Sequence, residues 1–344
     1  MPSHKEEGKK MKKMTKKLTK LALDIQKFAY NDKIDRSGSE ALIPEDASRD
    51  IIQGVPQYSS IMQLATKAPN MPRNQRRIPV LSTLPTAYFV NGDTGLKQTS
   101  TQAWANKYLD AEELAVIIPI PEAVLDDADY DIWAEVKPRI MEAFGVAFDS
   151  AVLFGTNAPA SWPQNILASA TAAGNTIAYG TGADLYEDLL GEDGVISLVE
   201  KDGYMVTGHI ASMAMRGRYR GLRGSDGHPI FVRSMQEGVQ YNLDGSPIYF
   251  PENGAMAESA GALQFSGNFK QIIYAMRQDI TYKVLDQAVI QDNTGTIVYN
   301  LAQQDMVALR AVMRLAWQVP NPINRINSTD TRFPFAALTP AATP

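Results

Sequence analysis

The chain has 344 residues, 44% of them hydrophobic and 21% charged, values near the globular average that exclude disorder throughout. It contains no cysteine, which excludes disulfides, thiol catalysis and thiolate metal sites. The formal charge of −5 is unevenly placed: residues 1–36 hold ten Lys and one Arg against five acids, a net +6, leaving −11 on the remainder. At this length a large core and about two domains are expected. The longest apolar run, LAVIIPIP at 114–121, is too short to cross a bilayer, and no secretory h-region follows the basic N-terminus.

Residues 8–30 place Met11, Met14, Leu18, Leu21, Ile25 and Phe28 at steps of three and four, which reads as an amphipathic helix with a lysine-rich polar face. That face is open to three readings: a solvated surface, an arm facing a polyphosphate, or a helix docked on a neighbouring subunit. Residues 31–40 read as a linker. Residues 41–70 form a stop-start segment, with short helices after Pro44 and over 59–66.

From Arg76 to Ile120 the chain reads as a long two-armed β excursion. Thr86–Val90 is a strand candidate, NGDTG at 91–95 is turn chemistry, and Leu114, Val116, Ile118 and Ile120 alternate. Arms of about 15–20 residues reach roughly 50–60 Å at about 3.3 Å per residue. A lone hairpin of that length buries little of itself and needs a partner surface.

Residues 126–155, DDADYDIWAEVKPRIMEAFGVAFDSAVLFG, form the element around which the chain is organised. Ile132, Val136, Ile140, Phe144, Ala147, Ala151 and Phe154 hold one face of a long helix, with Asp129 or Asp131 as cap and Gly155 as stop. Pro138 predicts a kink, or a helix that starts near it. Beyond it, 156–181 reads as loop with short strands, and 184–200 as a helix interrupted near Gly191. A strand at 204–207, a helix at 210–218, strands at 246–250 and 262–265, and a strand-like stretch over 271–289 follow. Leu301, Met306, Leu309, Val312, Met313 and Ala316 predict a helix over 300–319, and the Pro- and Ala-rich tail after Thr329 reads as irregular.

No constellation supports an enzyme. Asp127, Asp129 and Asp131 fit the first ligands of a calcium loop, but Ile132 and Pro138 stand where glycine and the bidentate glutamate are required, so helix capping is the better account. His4, His209 and His228 lack metal-ligand spacing, Ser212 is not in a GxSxG turn, and no phosphate-binding glycine loop is present. The patch RGRYRGLR at 216–223 suits phosphate or base contact as well as a subunit rim. No cofactor and no metal are expected.

The order of these features carries a resemblance. LIPEDASRDII, the hairpin ending ELAVIIPIPEAVLDDA, the long helix ending in FG, the loop TNAPASWPQNI, GYMVTGHIASMAMR, GSPIYFPE, LQFSGNFKQIIYAMRQDITYKV and MVALRAVMRLAWQVPNP stand in sequence. Over about residues 40–325 the chain resembles the major capsid proteins of tailed bacteriophages, the Hong Kong 97-type fold. The resemblance implies an α+β chain with an N-terminal arm (1–75), an extended β-hairpin loop (76–119) and a peripheral domain with a long spine helix (120–184, continued at 262–325). An axial domain (185–261) and a C-terminal tail (326–344) complete it.

It further implies a non-enzymatic shell protein that associates with itself into hexamers and pentamers of an icosahedral head around double-stranded DNA. Assembly would take place in the host bacterial cytoplasm, with no membrane contact. A portal protein and a decoration protein are implied partners, together with a separate scaffolding protein or none, since only about 40 residues precede LIPE. Inter-subunit contacts are expected from Tyr88, Phe89, Lys97, Trp104 and Lys107, a hinge at Pro138, and DNA or scaffold contact from Lys9, Lys10, Lys12, Lys13, Lys16 and Lys17. Some members of the family join a loop lysine to a neighbour's asparagine. Lys107 lies near the lysine's place, but Asp305 occupies the asparagine's, so no crosslink is expected. An encapsulin-type compartment enclosing a cargo protein is the alternative, and a monomeric enzyme the remote one.

Overall fold

The computed structural model describes residues 58–90, 95–128, 131–223 and 241–341. All lie in the unit Gln53–Pro344. The lysine-rich arm, the segment LIPEDASRDII, most of the NGDTG turn, Asp129, His4 and His228 fall outside the described residues.

A short helix α1 (Ser60–Leu64), capped by the Ser59 hydroxyl, leads into strand β1 (Thr66–Lys67). Strands β2 (Gln75–Thr83) and β3 (Ala103–Asp110) pair antiparallel as a two-stranded hairpin, with Lys107 opposite Ile78 and Trp104 opposite Leu81. β4 (Glu112–Pro121) follows, then a short helix α2 (Glu122–Asp127) and the 23-residue spine helix α3 (Ile132–Phe154). α4 (Ile166–Ala173), β5 (Thr176–Ala178), α5 (Leu185–Leu190), α6 (Val195–Lys201), β6 (Gly208–Ala211) and α7 (Met213–Gly221) come next. The remainder is β-rich: β7 (Tyr241–Leu243), β8 (Ser246–Tyr249), β9 (Gln264–Gly267), β10 (Ile273–Leu285), β11 (Val289–Gln291), β12 (Ile297–Asn300), β13 (Met306–Gln318) and β14 (Phe335–Thr339).

The spine helix spans roughly 35 Å at about 1.5 Å per residue. Asp131 caps it, accepting from the Trp133 and Ala134 amides at 3.0 and 3.3 Å, and Gly155 ends it at φ 75°. Asp126 and Asp127 belong instead to α2, so the acidic cluster is divided between two helices. Pro138 lies inside the helix rather than at its start. Having no N–H, it leaves the Ala134 carbonyl without its intrahelical donor. All the helix's buried residues lie after it, from Ile140 to Leu153.

Two sheets organise the rest. A four-stranded sheet runs β1-β10-β13-β4, and a six-stranded sheet runs β5-β14-β9-β6-β8-β7. One core joins Ile140, Phe144, Phe148 and Val152 of the spine helix to Leu309, Ala311, Met313, Leu315 and Trp317 of β13. A second packs Leu189, Val199, Met215 and Tyr219 of α5–α7 against Ile248 and Leu338 of the six-stranded sheet. β14 serves both: Phe335 and Ala337 point into the first core, Ala336 and Leu338 into the second, as the two-residue period of a strand requires.

Several sequence expectations are corrected. The segment expected as a helix over 300–319 is largely the thirteen-residue strand β13, held between β10 and β4. Both its faces are apolar, so residues at helical spacing are present as a subset of a period-2 pattern. The tail after Thr329 contains β14, the second strand of the six-stranded sheet. The hairpin strand is Gln75–Thr83, not 86–90, and the stretch 109–120 breaks at Ala111, so β4 leaves the hairpin and pairs with β13. α4 lies in the segment expected as loop, marked by Asn165 as its cap and Gly174 as its stop. β6 and α7 begin three or four residues later than expected. The interrupted helix at 184–200, the strand around Ile280, Tyr282 and Val284, and the Asp244–Gly245 turn (φ 48° and 75°) stand as read.

Candidate assembly surface

The β2–β3 hairpin and the segment joining its strands expose aromatic and aliphatic side chains. Its strands are held along their length: the Gln318 side-chain amide donates to the Tyr108 carbonyl at 3.0 Å, the Ile323 amide to that of Leu81 at 3.2 Å, and Arg325 to that of Pro85 at 2.9 Å. The segment supplying these donors is itself locked. Arg332, buried, donates its guanidinium to the carbonyls of Asn321, Pro322 and Thr329. Buried Asp202 accepts from Asn175, Asn327 and the Phe333 amide at 2.7–2.8 Å. The hairpin therefore leaves the body from a rigid mount, and residues beyond Pro85 project from it.

On that projection Phe89 is fully exposed and Leu96 is 91% exposed, with Tyr88 and Val90 also open to solvent, and Trp104 and Tyr108 are exposed on the held strand β3. Isolated exposed apolar residues are ordinary, but six between Tyr88 and Tyr108 are more than isolated exposure. Lys97 and Lys107 are exposed on the same hairpin. The expectation named Tyr88, Phe89, Lys97, Trp104 and Lys107, and the structure places all five there. It missed Val90, Leu96 and Tyr108, which the same argument from an unsupported hairpin could have included.

Lys107 lines a polar cavity of about 370 Å³ with Gln164, Asp330 and Arg332. Asp305, at φ 49°, precedes β13, while the Lys107 cavity includes Gln318 at the strand's other end. Thirteen residues at about 3.3 Å each separate these ends by roughly 40 Å, so the two side chains do not meet within one chain.

A groove of about 520 Å³ runs beside the spine helix, between its solvent-side residues, the start of β4 and the loop after Gly155. Leu114, Ala147, Phe148, Ala151, Pro159 and Trp162 line it, and Glu112 and Glu113 stand among its few polar groups. Trp162 is fixed by its indole N–H on the Asp110 carbonyl at 3.1 Å and by edge contacts to Phe148 and Trp317.

The opposite side of the spine helix receives the incoming chain. Asp149, 1% exposed, accepts from the Ser59 hydroxyl and from the amides of Ser60 (2.8 Å) and Ile61 (3.3 Å). Burial pushes its carboxyl up to about 6, against the pull of these three donors. One turn earlier, a Cβ on Gly145 would stand 2.7 Å from the Ser59 nitrogen, so only glycine admits this approach. A lone carboxylate among Phe148, Ala151 and Val152 was the available sequence signal for this latch.

His209 is a core residue. It is bonded to the Ser266 hydroxyl at 2.8 Å and the Leu243 carbonyl at 3.2 Å, and burial holds its pKa down to about 4. Enclosed in the sheet, this Ser–His pair has no substrate access. Arg216 and Arg218 of the basic patch lie over the rings of Tyr241 and Tyr179. Among the described residues no cluster of three His, Asp or Glu side chains could hold a metal ion, and no helix is long and apolar enough to cross a membrane.

Known proteins share this architecture. The chain is 28% identical over 314 residues to the major capsid protein of Staphylococcus phage 80alpha, covering 87% of this chain and 91% of that protein. Solved structures from Microbacterium phage Oxtober96 (34% identity, TM-score 0.76) and Mycobacterium phage Bobi (33%, TM-score 0.77) cover 90% and 91% of this chain and all of theirs. The α+β fold is of the Hong Kong 97 type, and the chain is a structural subunit of a phage head shell that associates with its own copies. With the phage capsid family model matching residues 40–325, the chain belongs to the phage capsid family.

Proposed function

We propose that this subunit forms hexamers and pentamers of an icosahedral head around double-stranded DNA, with the β2–β3 hairpin of each copy laid across its neighbour. The observation that carries this reading is the hairpin itself, held as far as Pro85 and exposing Tyr88, Phe89, Val90 and Leu96 beyond it. Residues 1–75 act as an arm, 76–119 as the extended loop, 120–184 with 262–325 as a peripheral domain, and 185–261 as an axial domain around the capsomer axis. The stretch 326–344 is the C-terminal tail.

Tyr88, Phe89 and Trp104 serve as aromatic anchors, a residue class enriched at the energetic centres of interfaces. Lys97 and Lys107 flank them. Asp305 in place of asparagine argues against a covalent tie. Lys9, Lys10, Lys12, Lys13, Lys16 and Lys17 face packaged DNA or scaffold on the interior, where lysines neutralise phosphate without reading sequence. Pro138 is the hinge at which the spine helix bends when the shell expands. No catalytic activity is part of this role. A portal protein, a scaffolding protein and a decoration protein complete the particle, which is assembled in the host bacterial cytoplasm. The relatives named above favour a phage head over an encapsulin-type compartment.

Deleting residues 85–104 tests the reading. The expected result is soluble subunits that form no closed shells by negative-stain electron microscopy; particles of normal size and yield would overturn it.

A further inference from the structure

We infer that Asn253 is a site of self-modification: in the folded subunit the Gly254 backbone nitrogen closes on its side-chain amide, expels ammonia, and leaves aspartate or isoaspartate after hydrolysis. The inference is independent of how the subunits assemble.

The sequence supplies the chemistry. Asn91 and Asn253 are the two asparagines followed by glycine. Glycine has no Cβ to shield its nitrogen, and its backbone is free to turn toward the preceding side chain. The structure supplies the geometry at Asn253. Its Oδ1 accepts the Ala255 N–H at 3.1 Å, an Asx turn that folds the side chain back toward the Gly254 nitrogen. The same donor stands on the oxygen where negative charge develops when the nitrogen attacks. The Asn253 Nδ2 is buried with no hydrogen-bond partner among the described residues, so its departure breaks no contact and removes an unpaired donor. Asn175, Asn321, Asn324 and Asn327 differ, each donating its side-chain NH₂ to a carbonyl or carboxylate oxygen at 2.7–2.8 Å. Gly254 is exposed at φ 80° with open space where a Cβ would stand, which leaves room for the ring and for water.

In the first step the bond from the Gly254 nitrogen to the Asn253 Cγ forms, the Cγ–Nδ2 bond breaks, and the Gly254 N–H proton leaves on ammonia. Water then opens the five-membered ring. Addition at Cγ gives aspartate. Addition at the main-chain carbonyl gives isoaspartate, whose backbone is one methylene longer. That length falls in the turn that carries the chain from Ile248 in the second core to Met256, 5% exposed, in the first. Isoaspartate therefore loosens Met256 as well as adding a charge.

Folded full-length subunits are incubated at mildly acidic and mildly alkaline pH and mapped by peptide mass spectrometry, with isoaspartate read by methyltransferase labelling. The Asn253 peptide should convert at least about tenfold faster than those holding Asn175 and Asn321, and faster at the higher pH, because the attacking nitrogen must lose its proton. A parallel incubation in urea gives the rate without the fold. Conversion of Asn253 in urea but not in folded subunits would overturn the inference, as would no conversion in either. Asn253→Asp carries the new charge without the extra methylene, so aged parent subunits should unfold at lower urea than this variant. Equal midpoints would overturn the loosening of Met256. Asn253→Ser cannot close the ring and should keep its stability through the same incubation; a decline matching the parent's would overturn the assignment to Asn253.

Discussion

Asp149 and His209 have opposite linkage to pH, and substituting one exposes the other. The Asp149 carboxyl goes from an ordinary 3.8 to about 6 on folding, so between these values the folded chain holds a proton that the unfolded chain has lost. Its contribution to stability therefore grows on acidification from pH 6 to 4, by about 3 kcal/mol at 1.36 kcal/mol per pH unit. His209 falls from 6.5 to about 4, so over nearly the same window the unfolded chain holds the extra proton and stability is lost on acidification, again by about 3 kcal/mol. In the native subunit the two nearly cancel.

In Asp149→Asn only the histidine effect remains. The variant's stability, relative to the parent, should drop by about 3 kcal/mol between pH 6.5 and 4. At neutral pH the change is smaller. The uncharged amide avoids the burial cost, but its NH₂ meets the Ser60 amide and leaves that donor unpaired, a loss of about 1–3 kcal/mol. The assay is urea unfolding of unassembled subunits at half-unit pH steps, comparing parent, Asp149→Asn and His209→Gln. Other carboxylates act alike in all three, so the difference in pH slope is the measured quantity. The reverse slope is expected for His209→Gln. Parallel pH profiles for parent and Asp149→Asn would refute the reasoning, because they would mean that Asp149 keeps its unfolded affinity for protons.

Gly145→Ala should lower subunit stability by about 1–3 kcal/mol, because its Cβ meets the Ser59 backbone, which cannot swing aside as a side chain could. An unchanged urea midpoint would mean that the 58–65 segment is not held against the spine helix. Termination after Asp330 removes β14 and with it fully buried Phe335 and Leu338, a loss above about 4 kcal/mol. The truncated chain should lack a cooperative thermal transition by calorimetry, and a parent-like transition would contradict the assignment of β14. Pro138→Ala restores the donor to the Ala134 carbonyl and should stabilise free subunits by about 1–3 kcal/mol. If the proline is a hinge, the variant's shells should also expand more slowly in time-resolved scattering; an equal rate would leave it a static feature. Shells boiled in detergent should run as single chains, and a ladder that Lys107→Ala abolishes would show a crosslink where none is expected.

What the sequence determined by itself was local. Asp131 as cap, Gly155 as stop and apolar residues on one face sufficed for the spine helix, because its hydrogen bonds close within the segment. Exposure along the hairpin was legible for a related reason. A two-stranded excursion over residues 76–110 has too few apolar partners of its own, and that shortfall is visible without coordinates. The order of motifs carried the family resemblance, hence the fold class and the role.

Pairing was decided only by tertiary structure. β13 has helical spacing within it and is a strand because β10 and β4 supply hydrogen bonds on both edges. β14 is ordered because strands β5 and β9, both distant along the chain, flank it. The latch at Asp149 likewise joins positions 90 residues apart, and the groove on the helix's other side needs the start of β4 and the loop after Gly155 brought beside it. A carboxylate surrounded by apolar residues signals in the sequence that something must meet it; which residue does so is set by the packing.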